Sequence, residues 1–503
     1  MRALGAGFQA YGWAPSTAEL AARAGLDPID ILRFDGNVPP LPLPTSRPAA
    51  IASELARVNE YPHGGYPHIH EAIAEYAGVE PENVVLGAGA DDLIMLAARA
   101  YAGAGDVVAV PPSPTYPLFR IAAQLAGADV GDDEPVLTFA CRPANPTGLL
   151  EPIPDARPLV VDEAYFEYAD DPGAVGLIDD DVIVIRTFSK LFALAGARVG
   201  YALASRDVAA ELYARQSPAP VSTLSIALAL AALSSPPDVA PVIDERDRLA
   251  AELRTLGYKP LPSRANFVYV PVDDPAAVGD RLLAAGCVVR VFDSAVRISV
   301  RDREDDDVLL AALAGEPRAP TRRNRRVRTT TETTIRVRLA LDGASRVRVG
   351  TGSGLYDHFF EQLAFHAGFD LVLEGSGDLE TGNHHTAEDA AIALGEAFDA
   401  ALGDRKGIAR YGDAVVVMDD ARASAAVDLG GRPHTRIVID PAVGLAPHLL
   451  ASFANNARIG LHVESSGDDA HHVAEAAFKA TGRALRAAVR TEGDVLPSTK
   501  GVM

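Results

Sequence analysis

The sequence predicts a doubly wound α/β domain with a smaller α+β unit, followed along the chain by a duplicated α+β sandwich. Three observations lead to this prediction. Apolar strand-like runs alternate with alanine-rich helical runs over residues 84–215, which is typical of a mostly parallel sheet. Residues 240–312 combine a charged helix with short strands. The last part of the chain contains a His-His-x-x-Glu pattern twice, at 384–388 and 471–475, each at the start of a helical run.

Length and composition bound the class of protein. At 503 residues the chain is too long for one ordinary domain. It has no apolar run long enough for a membrane span and no signal-peptide pattern at its start, and its two cysteines fit a reducing compartment. A net charge of −22 argues against general binding to nucleic acid or to an anionic membrane. We therefore expect a cytoplasmic protein that captures anionic ligands with local basic groups.

The first two predicted units follow from the order of these runs. Short apolar runs rich in β-branched residues predict strands, and longer alanine-rich runs predict helices. In the large domain the strands are predicted at 84–86, 107–111, 159–161, 182–186 and 199–203, with helices at 91–103, 117–127 and 206–215. In the smaller unit the predicted elements are a helix at 243–256, a strand at 266–270, a helix at 276–285 and strands at 288–290 and 296–300.

Polar residues suited to cofactor chemistry follow the predicted strands. Asp162 comes directly after a buried strand, and Lys190 follows another strand after two hydroxyl residues. Asn145 lies in a turn, and the glycine-rich turn at 87–92 precedes a helix, where backbone N–H groups hold phosphate. Only five of the 46 basic residues are Lys, whose amine can form a Schiff base. A Lys, a strand-end Asp, a phosphate cradle and a ring-facing Tyr are what pyridoxal phosphate requires.

Most of residues 30–312 resembles the fold-type I aminotransferases, and most closely histidinol-phosphate aminotransferase. The segment from Tyr116 to Asp162 is shorter than in that family, and Asn37-Val38-Pro39-Pro40 lacks the Tyr expected nearby. The matching stretches are 61–67 (YPHGGYP), the turn at 87–92, 114–116 (PTY), 145–148 (NPTG), 162–165 (DEAY), 187–190 (TFSK) with Arg198, and 266–268 (NFV).

The resemblance implies roles for individual residues. Lys190 would be the Schiff-base lysine and proton shuttle, and Asp162 would pair with the pyridinium nitrogen. The remaining implied contacts are with the cofactor ring, its phosphate and the substrate. Asn145 and Tyr165 would bond the ring oxygen, Tyr116 would stack on the ring, Ala90, Asp91, Ser189 and Arg198 would hold the phosphate, Tyr61 would reach it from the partner subunit of a dimer, and Arg297 with Arg290 would take the substrate carboxylate or phosphate.

A Pro- and Arg-rich break at 316–326 is predicted to be an exposed linker, which places the domains at 1–315 and 327–503. Beyond it the pattern predicts a β/α sandwich repeated twice. Residues 384–402 and 471–489 agree at 10 of 19 positions, including both His and the Glu. On a helix these side chains crowd one end of one face, and imidazole with carboxylate suits Mn, Fe, Zn or Ni.

Lone histidines in this region are weaker candidates. Of the chain's 12 histidines, nine lie within 327–503. His358 and His462, each near one of the repeated motifs, are additional ligand candidates. His366, His434 and His448 are interpreted as structural.

Nearly all of 327–503 resembles imidazoleglycerol-phosphate dehydratase. That family binds two Mn ions per site in a 24-subunit shell, with sites built between subunits. The family usually has Asp at the position of Asn383, so a carboxylate beside the first His pair is missing here. The matching stretches are 328–333 (RTTTET), 357–363 (DHFFEQL), 384–389 (HHTAED), 418–419 (MD), 428–433 (DLGGRP), 470–475 (AHHVAE) and 497–501 (PSTKG).

The resemblance implies three sets of residues in this domain. Two metals could bind the ring nitrogens of an imidazole substrate and favour loss of the neighbouring hydroxyl, while a carboxylate takes the carbon proton. The implied metal ligands are His358, His384, His385, Glu388, His462, His471, His472 and Glu475; Glu332, Asp419 and Glu475 are candidates for acid–base work; Gln362, Arg410, Arg432, Lys479, Ser498 and Lys500 would contact the substrate or its phosphate.

Together the two resemblances predict a bifunctional enzyme acting on phosphorylated small molecules and glutamate, because the dehydratase product is the aminotransferase substrate. Two alternatives remain at this point. The N-terminal part could be a different pyridoxal phosphate enzyme, such as an aromatic aminotransferase or a threonine-phosphate decarboxylase relative. It could also be a catalytically dead module that serves only assembly.

Overall fold

The computed structural model describes residues 8, 10–26, 28–39, 51, 54–62, 65–316, 322–343, 345–377, 382–493 and 495–498. The chain divides into two compact units, Met1–Arg318 and Ala319–Met503. Among the described residues, none of the helices has both the length and the apolar character needed to cross a membrane. Cys141 and Cys287 are both buried, and neither forms a disulfide within the described residues.

The helices of the described chain are as follows. In the N-terminal unit they are α1 (Thr17–Ala24), α2 (Pro67–Ala77), α3 (Ala90–Tyr101), α4 (Leu118–Ala126), α5 (Arg206–Arg215), α6 (Thr223–Leu233), α7 (Ala240–Thr255), α8 (Pro275–Ala284) and α9 (Arg303–Ala314). In the C-terminal unit they are α10 (Gly354–Ala367), α11 (His384–Leu402), α12 (Ala446–Asn456) and α13 (Ala470–Ala488).

The strands follow in the same way. The N-terminal unit contains β1 (Leu32–Arg33), β2 (Val84–Gly87), β3 (Val107–Ala109), β4 (Asp129–Val130), β5 (Leu137–Cys141), β6 (Leu159–Asp162), β7 (Val182–Thr187), β8 (Gly200–Leu203), β9 (Phe267–Pro271), β10 (Cys287–Val288), β11 (Arg290–Phe292) and β12 (Ala295–Ser299). The C-terminal unit contains β13 (Arg323–Thr329), β14 (Thr333–Ala340), β15 (Val347–Gly350), β16 (Asp370–Gly377), β17 (Tyr411–Met418), β18 (Ala421–Asp428), β19 (His434–Asp440) and β20 (Gly460–Ser466).

The large domain of the N-terminal unit is built on a seven-stranded sheet in the order β2-β8-β7-β6-β5-β3-β4. Only β8 runs antiparallel to its neighbours, so the predicted mostly parallel sheet is confirmed. Every residue of β6 and β7 is buried, as expected for central strands covered by helices on both faces. Their carboxyl ends carry the polar residues on which the candidate cofactor site depends.

The small domain of the same unit contains the antiparallel sheet β11-β12-β9, packed with α7, α8 and α9. This confirms the predicted α+β unit. A further parallel pair joins β1, from near the start of the chain, to β10. The N-terminal residues around 32–37 therefore belong to the small domain, which the sequence did not indicate.

The C-terminal unit consists of two halves with the same topology. Its two four-stranded sheets have the orders β13-β14-β16-β15 and β17-β18-β20-β19, which are equivalent strand for strand. One continuous core contains buried residues from both halves. The predicted duplicated sandwich is confirmed, although β13, β15, β19 and α12 were not predicted.

The linker prediction needs one correction. Strand β13 begins at Arg323 and pairs with β14, so the last four residues of the predicted linker at 316–326 belong to a sheet. Hydropathy alone does not predict a strand in a segment this rich in arginine. Here Arg326 and Arg328 reach acidic residues of α11, Glu396 and Asp389, at 2.7 and 2.8 Å, which satisfies the charges at this edge.

Two equivalent glycines allow the helices of the two halves to approach closely. Gly395 of α11 and Gly482 of α13 hold the same position in the repeat. A Cβ atom on Gly395 would lie 2.5 Å from the carbonyl oxygen of Phe453 on α12. A Cβ atom on Gly482 would lie 2.3 Å from the carbonyl oxygen of Leu363 on α10. Each crossing pairs a helix of one half with a helix of the other.

We expect Gly482→Ala to destabilise the C-terminal unit by about 1–3 kcal/mol, because the added methyl group would force α13 and α10 apart. This loss should occur although alanine favours helices by about 1 kcal/mol over glycine. Denaturant unfolding followed by circular dichroism measures it. Gly354→Ala is the matched control, since nothing lies within 4 Å of a Cβ there. Equal midpoints for the two variants would contradict the close-crossing interpretation.

Candidate active sites

The carboxyl ends of the adjacent strands β6 and β7 bring Asp162 and Lys190 into one site. Asp162 ends β6 and is 5% exposed, and the N–H of Ala164 donates to its carboxylate at 3.1 Å. Burial raises the pKa of Asp162 to about 7. Burial, together with the charge of Arg297, lowers the pKa of Lys190 to about 8. A buried carboxylate and an easily deprotonated amine therefore lie near the carboxyl ends of two adjacent central strands.

A hydrogen-bonded network surrounds Tyr165, whose ring centre lies 5.4 Å from the Lys190 amine. Asn37 Nδ2 donates to the Tyr165 hydroxyl at 3.0 Å. Ser299 donates to Asn37 Oδ1 at 2.7 Å, and Asn266 donates to the Asn37 carbonyl at 3.1 Å. Asn37 is 1% exposed and has a φ of 52°, a left-handed conformation that Asn tolerates better than most residues. The network joins Tyr165 of the large domain to the small domain.

Arg297 is buried on β12 and points to the same region. Its guanidinium donates to Asn145 Oδ1 at 2.6 Å and to the Asp35 carbonyl at 2.8 Å. Its Nε atom is buried without a partner among the described residues. Burial lowers the pKa of Arg297. An unpaired buried donor of this kind suits a ligand carboxylate or phosphate. Arg290 lies opposite Arg297 on β11, but it is exposed.

The residues predicted to hold a phosphate lie at the start of α3. Gly89 precedes the helix with a φ of 87°, and the first N–H groups of the helix, at Ala90 and Asp91, have no helical partners of their own. Arg198 donates to the Asp91 carboxylate at 3.0 Å, and the Tyr116 hydroxyl donates to it at 2.8 Å. Asp91 could therefore hold a phosphate through its backbone N–H, whereas its carboxylate is engaged by Arg198 and Tyr116.

Of two further predicted cofactor residues, Ser189 is buried and Tyr61 lies at the surface. Ser189 is buried, and its hydroxyl oxygen accepts from the Thr187 hydroxyl at 2.9 Å while its N–H donates to Thr187 Oγ1 at 3.1 Å. Tyr61 is 82% exposed. The residues present fit pyridoxal phosphate, because a buried carboxylate, an amine of lowered pKa, a helix start with Arg198 and an unpaired Arg297 donor are available to its charged and polar parts.

Sequence reasoning missed one buried ion pair beneath this site. Glu163, next to Asp162, accepts from Arg186 at 2.9 Å and from the N–H of Ala174 at 2.5 Å. The Arg186 guanidinium also stacks over the Phe166 ring at 3.5 Å. This pair holds the segment after β6 against β7. The available signal was the single Arg186 that directly follows the buried apolar run 182–185 in β7.

The first candidate metal group in the C-terminal unit contains His358, His471 and Glu475. The two imidazole Nε2 atoms lie 3.4 and 3.5 Å from the Glu475 carboxylate, and the rings stack 5.5 Å apart. One ligand atom from each residue lies within 4.8 Å of the others. His358 comes from α10 and the other two from α13, so the group is shared between the two halves.

The second candidate metal group contains His384, Glu388 and His448. His384 Nε2 lies 3.4 Å and His448 Nε2 lies 3.0 Å from the Glu388 carboxylate. Their ligand atoms also lie within 4.8 Å of one another. The interpretation of His448 as structural was therefore wrong on geometry. Its position in α12, equivalent to that of His358 in α10, was the signal, but it required α12 to be predicted.

The second His of each pair points to a hairpin carboxylate. His385 Nδ1 lies 3.4 Å from Glu332, in the turn between β13 and β14. His472 Nδ1 lies 2.6 Å from Asp420, and its Nε2 lies 3.8 Å from Asp419, in the equivalent turn between β17 and β18. Glu332 and Asp419 therefore lie beside the repeated motifs, and their acid–base roles stay predictions.

The two helix starts differ. Asp469 precedes α13 and accepts the N–H groups of His471 and His472 at 2.7 and 3.3 Å. Asn383 precedes α11 and makes no capping hydrogen bond through its side chain. Among the described residues, the first His pair therefore lacks a capping carboxylate equivalent to the one that bonds the second pair.

The structure does not bring His462 to either group. It lies on β20, where buried Leu461 and Val463 face the helices, so the exposed His462 side chain points to the opposite face of the sheet. Its ring lies 5.6 Å from that of His434. Within this chain His462 therefore lies at neither group, and its role as a metal ligand stays a prediction.

The predicted substrate residues of this unit lie in different surroundings. Lys479 donates to Glu475 at 2.8 Å, one helical turn from the first metal group. Arg410 donates to Asp428 at 2.7 Å and to the Pro497 carbonyl at 2.8 Å, which ties it to the end of the chain beside Ser498. Gln362 is half-buried one turn beyond His358 on α10, Arg432 is exposed, and Lys500 lies outside the described residues.

The donor sets of both groups fit divalent metal ions. Two imidazoles and a carboxylate are common ligands of Mn, Fe and Zn, and each set of three leaves coordination positions for other ligands. All three residues of the second group are partly exposed, so a substrate could reach the ion.

Comparison with known proteins agrees with this division of the chain. The family model of aminotransferase class I and II matches residues 29–132 and 131–313, and the model of imidazoleglycerol-phosphate dehydratase matches residues 351–485. The imidazoleglycerol-phosphate dehydratase of Salinispora arenicola is 47% identical over 195 residues, which cover 35% of this chain and 96% of that protein. The enzyme of the same name from Methanothermobacter thermautotrophicus is 45% identical over 188 residues, with 36% and 97% covered.

Solved structures resemble the N-terminal unit. The histidinol-phosphate aminotransferase from Sinorhizobium meliloti, in complex with pyridoxal-5'-phosphate, superposes with a TM-score of 0.53 at 26% identity, covering 60% of this chain and 94% of that one. An aspartate aminotransferase from Thermus thermophilus shares the fold, with a TM-score of 0.51 at 24% identity, covering 63% and 100%. The chain therefore belongs to two families, aminotransferase class I and II through its N-terminal unit and imidazoleglycerol-phosphate dehydratase through its C-terminal unit.

Proposed function

We propose that this chain is a bifunctional enzyme of histidine biosynthesis. Its C-terminal unit dehydrates imidazoleglycerol phosphate to imidazole acetol phosphate, and its N-terminal unit transaminates that product with glutamate to histidinol phosphate. The observation that carries the proposal is the presence of both complete sets of chemical groups in one chain. The product of one reaction is the substrate of the other.

Different residues of the N-terminal unit would have different roles in transamination. Bound pyridoxal phosphate would supply an electron sink for the carbanion formed at the substrate carbon. Lys190, with its lowered pKa, can accept and return the proton at that carbon near neutral pH. Asp162 is buried where it would keep a ring nitrogen protonated, and Arg297 offers its unpaired Nε to the substrate carboxylate or phosphate. Intact Lys190 and Asp162 argue against a dead assembly module.

The C-terminal residues are arranged for removal of a weakly acidic proton. Two divalent ions would polarise the imidazole ring of the substrate. Glu332 and Asp419, each beside the second His of a repeated pair, are the carboxylates available to take the proton from carbon. Lys479, which contacts Glu475 of the first metal group, and Arg410, which bonds the chain beside Ser498, are the basic groups available to hold a phosphate. Replacing Lys479 or Arg410 with a neutral residue would remove the charge-assisted hydrogen bonds that each can donate to a phosphate.

Metal identity and assembly are part of the proposal. We propose Mn²⁺, two per dehydratase site, with sites completed between subunits of a 24-subunit shell, and a dimer of N-terminal units in which Tyr61 reaches the partner's phosphate. The exposure of Tyr61 supports the dimer, and that of His462 supports a role as ligand to a neighbouring subunit. The absence of disulfides among the described cysteines is consistent with the cytoplasm.

Supplying imidazoleglycerol phosphate, glutamate, Mn²⁺ and pyridoxal phosphate tests both activities together. We expect histidinol phosphate to form, as followed by mass spectrometry. Lys190→Ala should stop the sequence at imidazole acetol phosphate, with transamination reduced at least ~10²–10⁴-fold, because it removes the proton-transferring amine. Lys259→Ala, in the same unit and away from the site, is the matched control. Accumulation of imidazole acetol phosphate by the unmodified chain would contradict the bifunctional proposal. A faster reaction with aromatic acceptors would favour a different aminotransferase.

The pH dependence of cofactor loading tests the environment of Lys190. Only the neutral amine reacts, and with a pKa of about 8 it is present above that pH and lost as the pH falls below it. We expect the rate at which the cofactor-free chain gains the visible band of bound pyridoxal phosphate to rise with a midpoint at about pH 8. Arg297→Gln should move the midpoint to higher pH, since the charge of Arg297 lowers the pKa of Lys190.

The control for loading is Arg264→Gln, which removes an exposed charge from the same unit. The midpoint should then stay where it is in the unmodified chain. A midpoint in the ordinary lysine range, near pH ~10.4, would show that burial does not act on Lys190.

Carboxylate substitutions distinguish acid–base residues from metal ligands. We expect Glu332→Gln to lower the dehydratase kcat by roughly 10²–10⁴-fold while bound Mn²⁺ stays constant, because the amide keeps the shape but cannot accept the proton. Steady-state kinetics with metal analysis measures the two quantities. Asp413→Asn, an exposed carboxylate on β17, serves as the control. Loss of metal in parallel with kcat would assign Glu332 to metal binding.

A further inference from the structure

We propose that Asp389 is a positioning residue for Glu332, and that it acts by fastening the turn between β13 and β14 to helix α11. The inference rests on the proposed dehydratase function, in which Glu332 takes the proton from carbon. It adds a residue that belongs to neither candidate metal group and acts through Glu332.

The position of Glu332 depends on the turn that carries it. Its side chain is 51% exposed, and its carboxylate lies 3.4 Å from His385 Nδ1. An exposed side chain samples several rotamers, and a fixed backbone is the first condition for restricting them. How firmly the turn is held to α11 therefore decides how well the carboxylate is placed.

A chain of hydrogen bonds runs from the backbone of the turn to Asp389. The N–H groups of Glu332 and Thr333 both donate to Thr330 Oγ1, at 3.2 and 3.0 Å. The hydroxyls of Thr330 and Thr333 lie 3.1 Å apart, and the Thr333 hydroxyl donates to Asp389 Oδ2 at 2.5 Å. Arg328 Nε donates to the other carboxylate oxygen at 2.8 Å. All of these bonds end on one carboxylate.

The carboxylate of Asp389 fixes the direction of this chain. An ionised carboxylate only accepts, so the hydroxyl proton of Thr333 must point to Asp389. The Thr330 hydroxyl can then donate to the Thr333 oxygen or, at 3.5 Å, to Asp389 itself. In both cases the Thr330 oxygen is left to accept the two backbone N–H groups. Bonds to an ionised group are roughly twice as strong as neutral ones, and aligned bonds strengthen one another.

The hairpin meets the helix at two points. Asp389 is 9% exposed and lies one helical turn after His385 on α11. Glu332 contacts His385, while Arg328 and Thr333 bond Asp389. Arg328 also compensates the charge that is buried at Asp389. Two contacts one turn apart fix both the distance and the direction of the turn relative to the helix.

The second half of the unit holds its hairpin in another way. The residue equivalent to Asp389 is Ala476. There the hairpin itself supplies the carboxylate, since Asp420 accepts the N–H groups of Asp468 and Asp469 at 2.6 and 2.8 Å. The fold therefore does not itself require a carboxylate at this place on the helix, which favours a role specific to the first half.

Hydrogen exchange of the full chain, freed of metal with a chelator, tests the fastening itself. Asp389→Asn should speed exchange of the amides of residues 332 and 333 by at least about tenfold, because the NH₂ group facing Thr333 opposes the direction of the bonds. Mass spectrometry of peptides spanning 329–333 measures it. Asp399→Asn, which removes an ion pair with Arg405 from the same helix, is the matched control and should leave the turn unchanged. Equal exchange in Asp389→Asn and the unmodified chain would overturn the inference.

Steady-state kinetics with saturating Mn²⁺ test the consequence for Glu332. Asp389→Asn should lower the dehydratase kcat by about 10–100-fold, with KM changed by less than about twofold and bound Mn²⁺ constant, because only the proton-accepting group is displaced. Thr330→Val, which removes the acceptor in the turn, should act in the same way, whereas Thr330→Ser should keep kcat. A purely structural loss, as expected for Asp399→Asn, would lower the unfolding midpoint without lowering kcat.

Combination with Glu332→Gln shows whether Asp389 acts through Glu332. Residues that act as a unit have non-additive effects. In the Glu332→Gln background, Asp389→Asn should therefore change kcat by no more than about twofold. An undiminished loss in that background would overturn the positioning role, since Asp389 would then act on another group.

The outcomes separate this inference from the function on which it rests. If Glu332→Gln loses kcat while Asp389→Asn keeps it, the positioning role is overturned and the dehydratase proposal stands. If Asp389→Asn loses bound Mn²⁺ together with kcat, Asp389 acts on the metal group and the positioning role is again overturned. If the unmodified chain does not dehydrate imidazoleglycerol phosphate, the function fails and the inference fails with it.

Discussion

The close helix crossings at Gly395 and Gly482 are the constraint on which the C-terminal unit depends. Backbone atoms of the opposing helices occupy the space that a side chain would need, so the two helix backbones are in direct contact at each glycine. This contact sets the distance between α11 and α12 and between α13 and α10. Each metal group takes one ligand from one partner of a crossing and two from the other. The geometry of the donor atoms is thus decided by packing well away from them.

The N-terminal site depends on burial rather than on packing distance. Asp162 and Lys190 are held at the ends of parallel strands, where removal of water moves both pKa values towards neutrality from opposite sides. Burying the charges of Asp162 and Lys190 costs folding free energy unless a ligand compensates them. Groups with pKa values shifted in this way are typical of functional sites such as cofactor sites. The buried pair of Glu163 and Arg186 beneath it shows the other solution, in which the protein supplies its own partner.

Much of the fold and of both sites could be predicted from sequence, because strand-end chemistry and repeated ligand spacing are local patterns. Lys190, Asp162 and the His-His-x-x-Glu repeats lie where their spacing indicated. His448 and Asn37 were not recognised, because their roles depend on elements far apart in the chain. His462 shows the converse: its nearness in sequence to the second motif did not reveal that strand alternation turns it to the other sheet face. The engaged carboxylate of Asp91 also depends on distant partners, Tyr116 and Arg198.

The exchange of ligands between the halves has a consequence for the history of the fold. Each half supplies one candidate ligand His from one helix and a His and a Glu from another, yet among the described residues no group is completed by helices of a single half. An isolated half would therefore need a second copy of itself to assemble either group. Joining two halves in one chain replaces that encounter with an intramolecular one, at an effective concentration on the order of mM. Once joined, the copies were free to diverge, as Asn383 and Ala470, the residues directly before the two His pairs, have.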